Sequence, residues 1–358
     1  MELTNMLMLI GGLALFLFGM NVMGEALEKK AGSRLKTLLA RLTSNKFKGF
    51  LLGLGITAVI QSSSATTVMV VGFVNSGVMT LGQAVGVIMG ANLGTSVTSW
   101  LLSLTSLQSD NVFLSMLKPD NFTPVLALIG VILYMFVKDR KKKDVGLILL
   151  GFSVLMFGME MMSDSVAPLK DNPAFIRVLT VFEQPILGVL AGTVITAIVQ
   201  SSSASVGILQ ALTFTGTIAN GTAIPIIMGQ NIGTCVSAMI SSVGANKNAK
   251  RAAFIHLYFN VIAASILLLV FYAVKAFLPS EILTRPATAL SIAVIHTVFK
   301  LIALAMLMPF TKQLEKLACL TVRDSKEKEK DELLDERLLV TPPVAIQRSK
   351  DVEKQMAV

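Results

Sequence analysis

The sequence predicts an all-α integral membrane protein made of two inverted-topology repeats with broken or re-entrant helical hairpins. Three observations carry that prediction. Gln61-Ser62-Ser63-Ser64-Ala65 recurs letter for letter as Gln200-Ser201-Ser202-Ser203-Ala204, 139 residues later (200 minus 61), and each copy interrupts an apolar stretch. Hydrophobic residues make up 53% of the 358, with a mean hydropathy of +0.71, whereas a soluble domain has about 45–50% apolar residues even with Gly counted. Finally, basic residues crowd one loop of each half and are sparse in its counterpart, which puts equivalent loops on opposite sides of a bilayer.

The repeat keeps register without a gap from Phe18 to Thr95. Phe18-Gly19-Met20 falls on Phe157-Gly158-Met159, Thr57-Ala58 on Thr196-Ala197, and Gly77 on Gly216. Met89-Gly90-Ala91-Asn92-Leu93-Gly94-Thr95 falls on Met228-Gly229-Gln230-Asn231-Ile232-Gly233-Thr234. Such agreement over a long span marks a duplication.

Crossing about 30 Å of hydrocarbon takes about 20 helical residues. Apolar runs near that length lie at 6–24, 123–138, 145–163, 252–276 and 287–309 and predict full helices. The runs at 49–60, 65–78, 80–90 and 95–105, with their four counterparts, are each too short and each abuts a Ser-rich or Asn-x-Gly-Thr tract. Polar backbone inside hydrocarbon is tolerated where it lines a protein cavity, so these pieces predict broken or re-entrant helices.

Direction follows from the loops. The 24–48 loop holds Lys29, Lys30, Arg34, Lys36, Arg41, Lys46 and Lys48, against Lys170 and Arg177 in the 163–187 loop. In the reverse sense, 107–122 has one Lys while its counterpart carries Lys247, Lys250 and Arg251. The cluster Lys138, Arg140, Lys141, Lys142 and Lys143 places that connection in the cytoplasm, so 145–163 runs outward and 6–24 inward. Domains are therefore expected as repeat 1 at 1–144, with an amphipathic cytoplasmic helix at 24–48 and a basic linker at 138–144; repeat 2 plus a final helix at 145–310; and a charged cytoplasmic tail at 311–358. Leu27, Leu35, Leu38, Leu39 and Leu42 give the 24–48 segment an apolar face suited to lying in the interface. Glu2 stands where a signal peptide would be basic, and no small-residue cleavage site follows the first apolar run, so the first helix is expected to stay.

Composition narrows the function. Cys235 and Cys319 offer no disulfide framework and read as incidental. The net charge of +9 is carried by the membrane-flanking loops, because acidic and basic side chains balance in the tail. One Trp, three Tyr and no dense basic tract outside those loops give no case for a nucleic-acid partner. Two histidines supply no transition-metal cluster, and no organic cofactor is implied.

A serine that ends one half-helix and caps the next leaves the first N–H groups of the second half pointing outward from its end, where anions are favoured. Ser62, Ser63, Ser64, Ser201, Ser202 and Ser203 are thus candidates to hold a tetrahedral oxyanion. Sodium needs hard oxygen ligands. Gln61, Gln200, Asn92, Asn231, Thr95 and Thr234 offer them, together with carbonyls around Gly90–Gly94 and Gly229–Gly233. Cation and anion would assist each other in a low-dielectric pocket, and mobile ions would stand in for the fixed charge that the repeated core lacks.

Small residues in membrane helices also serve close packing, and Gly11, Gly53 and Gly192 are read that way. His296 and Lys300 share a helical face at i, i+4 outside the repeated core and are read as pairing with the scaffold. His256 and Glu160 are ambiguous between the two roles.

With two Gln-Ser-Ser-Ser tracts in inverted halves and a following Asn-x-Gly-Thr in each, the chain resembles the type II sodium-dependent phosphate cotransporter family over residues 6 to about 309. The resemblance implies sodium-coupled transport of inorganic phosphate across the cell membrane, with Gln61–Ser64 and Gln200–Ser203 at the substrate and cation sites. Many bacterial members add a long helical regulatory domain related to the phosphate-uptake regulator; 311–358 is too short for it, though Lys326–Leu339 reads as a charged, partly helical start. A homo-oligomer is compatible with the sequence.

Three other readings stand beside this one. The same fold could carry another oxyanion or export phosphate. A channel lacks a carbonyl-lined or acidic filter signature. An intramembrane serine hydrolase lacks Gly-x-Ser-x-Gly at either tract and an acid to orient His256 or His296.

Overall fold

The fold is seen in a computed structural model, which describes residues 3–41 (side chains to 30), 46–104, 119–173, 175–176, 181–277 and 281–323, with isolated positions beyond. Among the described residues the protein is helical and holds six helical spans long and apolar enough to cross a membrane, the architecture of a multi-pass membrane protein. The long apolar runs become α1 (Leu3–Arg41), α6 (Pro119–Met135), α7 (Arg140–Val166), α12 (Lys247–Phe277) and α14 (Ala289–Leu307). Large apolar side chains such as Leu7, Phe18, Leu128, Leu269 and Leu301 are exposed on them, as lipid-facing surfaces require.

The short runs become separate helices at nearly the expected places. These are α2 (Lys46–Ile60), α3 (Ser63–Asn75), α4 (Leu81–Gly94) and α5 (Ser96–Ser103) in the first half. The second half repeats them as α8 (Pro185–Val199), α9 (Ser202–Thr213), α10 (Asn220–Gly233) and α11 (Cys235–Ser241). A four-residue α13 (Glu281–Thr284) and a tail helix α15 (Thr311–Thr321) complete the order. The expected 24–48 helix continues α1 as far as Arg41; its side chains beyond Lys30, the 105–118 segment, Arg177 and Lys326–Leu339 lie outside the described residues.

Two compact units divide the chain. The first is 1–30, 96–233 and 267–299; the second is 31–95, 234–266 and 300–358. They do not coincide with the two sequence repeats. In the first unit α9, from repeat 2, packs on α5, from repeat 1; in the second, α3 packs on α11, the same exchange in reverse.

Within the first unit α1 and α7 approach through glycines. A Cβ on Gly12 would meet Met162 N at 2.9 Å, and one on Gly151 would meet Met23 N at 2.6 Å. Phe16, fully buried, then fits against Gly207 of α9 among Leu155, Met156 and Met159. In the second unit α2 and α4 are in backbone contact, with Gly53 against the Val87 carbonyl and Gly90 against the Phe50 carbonyl. The first unit repeats this between α8 and α10, with Gly192 against Ile226 and Gly229 against Val189. Gly53 and Gly192 are packing residues, as expected, whereas a Cβ on Gly11 would meet Met161 Sδ at an ordinary 3.7 Å, so that position does not require glycine for packing. Small residues let membrane helices approach until their backbones touch, and dispersion rather than the hydrophobic effect holds them there.

Candidate functional site

Each Gln-Ser-Ser-Ser tract folds into a two-residue hairpin tip. Gln61 ends α2 in the left-handed region at φ 62°, and Gln200 ends α8 at φ 55°; these are the two non-glycine residues with positive φ among the described residues. Their N–H groups close the preceding helices onto Thr57 O at 2.7 Å and Thr196 O at 2.8 Å. Ser62 and Ser201 are extended, and each side chain caps the next helix by accepting from Ala65 N at 3.1 Å and Ala204 N at 3.2 Å. The first ladder bonds of the new helices are Thr66 N to Ser62 O and Ser205 N to Ser201 O. The N–H groups of Ser63, Ser64, Ser202 and Ser203 therefore precede the ladder at the positive end of a helix dipole.

A left-handed L-residue costs about 1–2 kcal/mol, and glycine would avoid that. Two glutamines held in this conformation at equivalent places are local strain of the sort found at functional sites. The Gln side chains differ in setting. Gln61 is buried and donates to Ala58 O, while Gln200 is exposed. Ser63, Ser202 and Ser203 are buried; Ser62, Ser64 and Ser201 are half-buried.

The Asn-x-Gly-Thr tracts depart from expectation in one respect. Thr95 and Thr234 keep right-handed helical backbone at φ −61° and −57°, so the interruption between α4 and α5, or between α10 and α11, is slight. The side chains explain this by bonding back to their own helix: Asn92 Nδ2 to Ile88 O at 3.0 Å, Asn231 Nδ2 to Ile227 O at 2.7 Å, and Thr95 Oγ1 to Ala91 O at 3.2 Å. Asn92, Thr95 and Thr234 share the second unit with Gln61–Ser64; Asn231 shares the first with Gln200–Ser203. In each unit the tract packs on the hairpin. Gly94 lies against Thr57, and Gly233 against Thr196, so closely that a Cβ on either glycine would stand 2.7 Å from the threonine Cβ.

Around Asn92 the structure assembles polar residues that sequence reasoning underweighted. Lys300 Nζ donates to the Asn92 main-chain carbonyl at 2.5 Å. Asn92 Oδ1 faces His256 Nε2 and Asn260 Nδ2, each at 3.4 Å. Asn260 Nδ2 also reaches Cys235 Sγ at 3.3 Å and His256 O at 2.9 Å, so Cys235, read as incidental, belongs to the cluster. All five residues are buried. His296, one turn before Lys300, faces Ser99 Oγ at 3.3 Å in the first unit. There Gln210 Nε2 ties Ser99 O at 3.0 Å to Ala289 O at 2.8 Å. A signal for the cluster was present: Ile255-His256-x-x-Phe259-Asn260 recurs as Ile295-His296-x-x-Phe299-Lys300, with Lys where the first copy has Asn. Glu160, by contrast, is exposed. Among the described residues no three His, Cys, Asp or Glu side chains converge as metal ligands.

Comparison with known proteins agrees with this architecture. The Na+/Pi-cotransporter family model matches twice, at residues 15–164 and 157–308. The chain is 30% identical to the uncharacterized protein YqeW of Bacillus subtilis over 88% of its own length and 99% of that protein. It is 28% identical to the putative inorganic phosphate export protein YjbB of Salmonella typhimurium over 96% of its length, and spans 61% of that relative. A shorter match, 31% identical over 29% of this chain and 16% of the relative, is to the rat sodium-dependent phosphate transport protein 2A. No solved structure matches the chain. Two tandem matches that together run through both hairpins, and relatives that extend over nearly all of its length, place the chain in the Na+/Pi-cotransporter family.

Proposed function

We propose that this protein is a sodium-coupled secondary transporter of inorganic phosphate that works by alternating access in the cell membrane, with its charged tail in the cytoplasm. The observation that carries the reading is the paired hairpin tip, a left-handed Gln followed by a capping Ser, at equivalent points of a duplicated membrane chain. The hydroxyl and N–H donors of Ser62, Ser63, Ser64, Ser201, Ser202 and Ser203 take the phosphate oxygens. Helix N-termini favour anions without a fixed cation. Gln61, Gln200, Asn92, Asn231, Thr95 and Thr234 contribute side-chain oxygens to sodium. No covalent step is involved. Proteoliposomes given an inward sodium gradient should accumulate labelled phosphate, and absence of sodium-dependent flux in either orientation with folded protein would overturn the reading.

Export is the second reading, favoured by one finding: the relatives of Salmonella typhimurium and Escherichia coli that align with 96% of this chain are named putative inorganic phosphate export proteins. Vesicles of known protein orientation, loaded with phosphate on one side at a time, separate the two directions.

A further inference from the structure

At the slight joint between α4 and α5 a main-chain carbonyl is taken by a cation. The last carbonyls of a helix have no ladder partner, and the dipole makes that end negative; half-helix C-termini of this sort bind coupling cations in membrane transporters. Asn92 lies two residues before the end of α4. Its carbonyl accepts from the buried ammonium of Lys300. Among the described residues no carboxylate pairs with Lys300, and the side chains around Asn92 are the neutral donors and thiol of His256, Asn260 and Cys235. A charge buried in a membrane span without an ion-pair partner is costly and marks a functional group. Asn260, the residue in the matching place of the sister Ile-His-x-x-Phe motif, is uncharged.

We propose that Lys300 is a tethered cation, its ammonium holding the C-terminal end of α4 at the Asn92 carbonyl where a mobile sodium ion would otherwise bind. The Asn92 carbonyl is the acceptor that a carboxylate would otherwise be. One consequence, which rests on the transport reading, is that the chain couples phosphate to one sodium fewer than the same chain with a neutral residue there. Lys300 carries the charge that this ion would have brought.

Sodium binding, rather than transport, tests the proposal, so its failure is separate from failure of the transport reading. The full chain, purified in detergent, is equilibrated with radiolabelled sodium at ionic strength held constant with choline. Lys300→Asn and Lys300→Gln should each bind one more sodium per chain than the wild type, and Lys300→Arg should match the wild type. Equal sodium stoichiometry in the folded neutral variants and the wild type overturns the proposal. Should the neutral variants unfold in choline, the proposal requires sodium to raise their unfolding temperature more than it raises that of the wild type; unfolding indifferent to sodium also overturns it.

Discussion

Thr57 donates its hydroxyl proton to Thr66 Oγ1 at 3.0 Å, across the Gln61 tip, and Thr196 makes the same bond to Ser205 at 2.8 Å across the Gln200 tip. Thr57, Thr66 and Thr196 are fully buried. The bonds pin each hairpin closed nine residues apart in sequence. Thr57→Val keeps the shape and removes the donor, so it should destabilise the folded protein by about 1 kcal/mol. Thr196→Val should cost a similar amount. Thermal unfolding in detergent checks both, and a neutral result at either would show that the bond does not close the hairpin.

The left-handed glutamines give a sharper test, because stability and activity should move in opposite directions. Glycine adopts that backbone without the Cβ penalty. Gln200 is the better position, since its side chain is exposed. Gln200→Gly should leave the unfolding temperature unchanged or higher, while Gln200→Ala should be less stable than the glycine variant by about 1 kcal/mol. Phosphate flux should fall in both if the carboxamide serves sodium as proposed. Full flux in a stable Gln200→Gly protein would remove Gln200 from the site.

The hairpins were legible in the sequence because helix breaks in a membrane chain must be polar, and Gln-Ser-Ser-Ser twice over in one register leaves little else for those residues to do. Four of the five expected full helices were legible from length and hydropathy, although α7 and α12 extend beyond their apolar runs through Arg140–Lys143 and Lys247–Arg251; the 123–138 run gives the shorter α6, and α4 with α5 and α10 with α11 reach spanning length instead. What could not be read was tertiary. That Lys300 meets Asn92, 208 positions earlier, depends on how α14 packs, and a polar residue on an apolar helix carries no record of its partner. Equally hidden is that α5 and α11, each within its own repeat in sequence, pack on the hairpin of the other repeat. Local periodicity is silent on such an exchange. The slight joint at Thr95 escaped for a related reason: Gly and Asn suggest unwinding, but here the Asn and Thr side chains bond back to the preceding turn.

Caps and ligands can be told apart among the serines. Ser62 and Ser201 accept from Ala65 N and Ala204 N, so their alanine variants should lose about 1 kcal/mol of stability in addition to any loss of transport. Ser63 and Ser202 have no capping role. Ser63→Ala or Ser202→Ala should therefore retain wild-type stability and lose phosphate affinity by about 1.5–3 kcal/mol, the worth of a hydrogen bond to a charged group, or roughly ten- to hundredfold. A stable Ser63→Ala protein with unaltered phosphate affinity would exclude that hydroxyl as a ligand.

Glycines on one helix should give opposite results. Gly53 of α2 faces the backbone of Val87, and a methyl there would overlap the carbonyl; Gly55, two residues on, has nothing within 4 Å of that position. Two packed backbones cannot yield as a flexible side chain can, so Gly53→Ala must push α2 from α4 along a contact that also seats Gly94 on Thr57. The expected cost is in the overpacking range, about 1–3 kcal/mol or more, with a fall in phosphate flux because the hairpin tip moves with its helix. Gly55→Ala removes only the flexibility of a glycine inside a helix and should stabilise by up to about 1 kcal/mol. Measuring both unfolding temperatures side by side separates the causes. Equal effects would mean that helix propensity decides, and a loss confined to Gly53→Ala would show that the backbone contact between α2 and α4 holds the Gln61 tip in place.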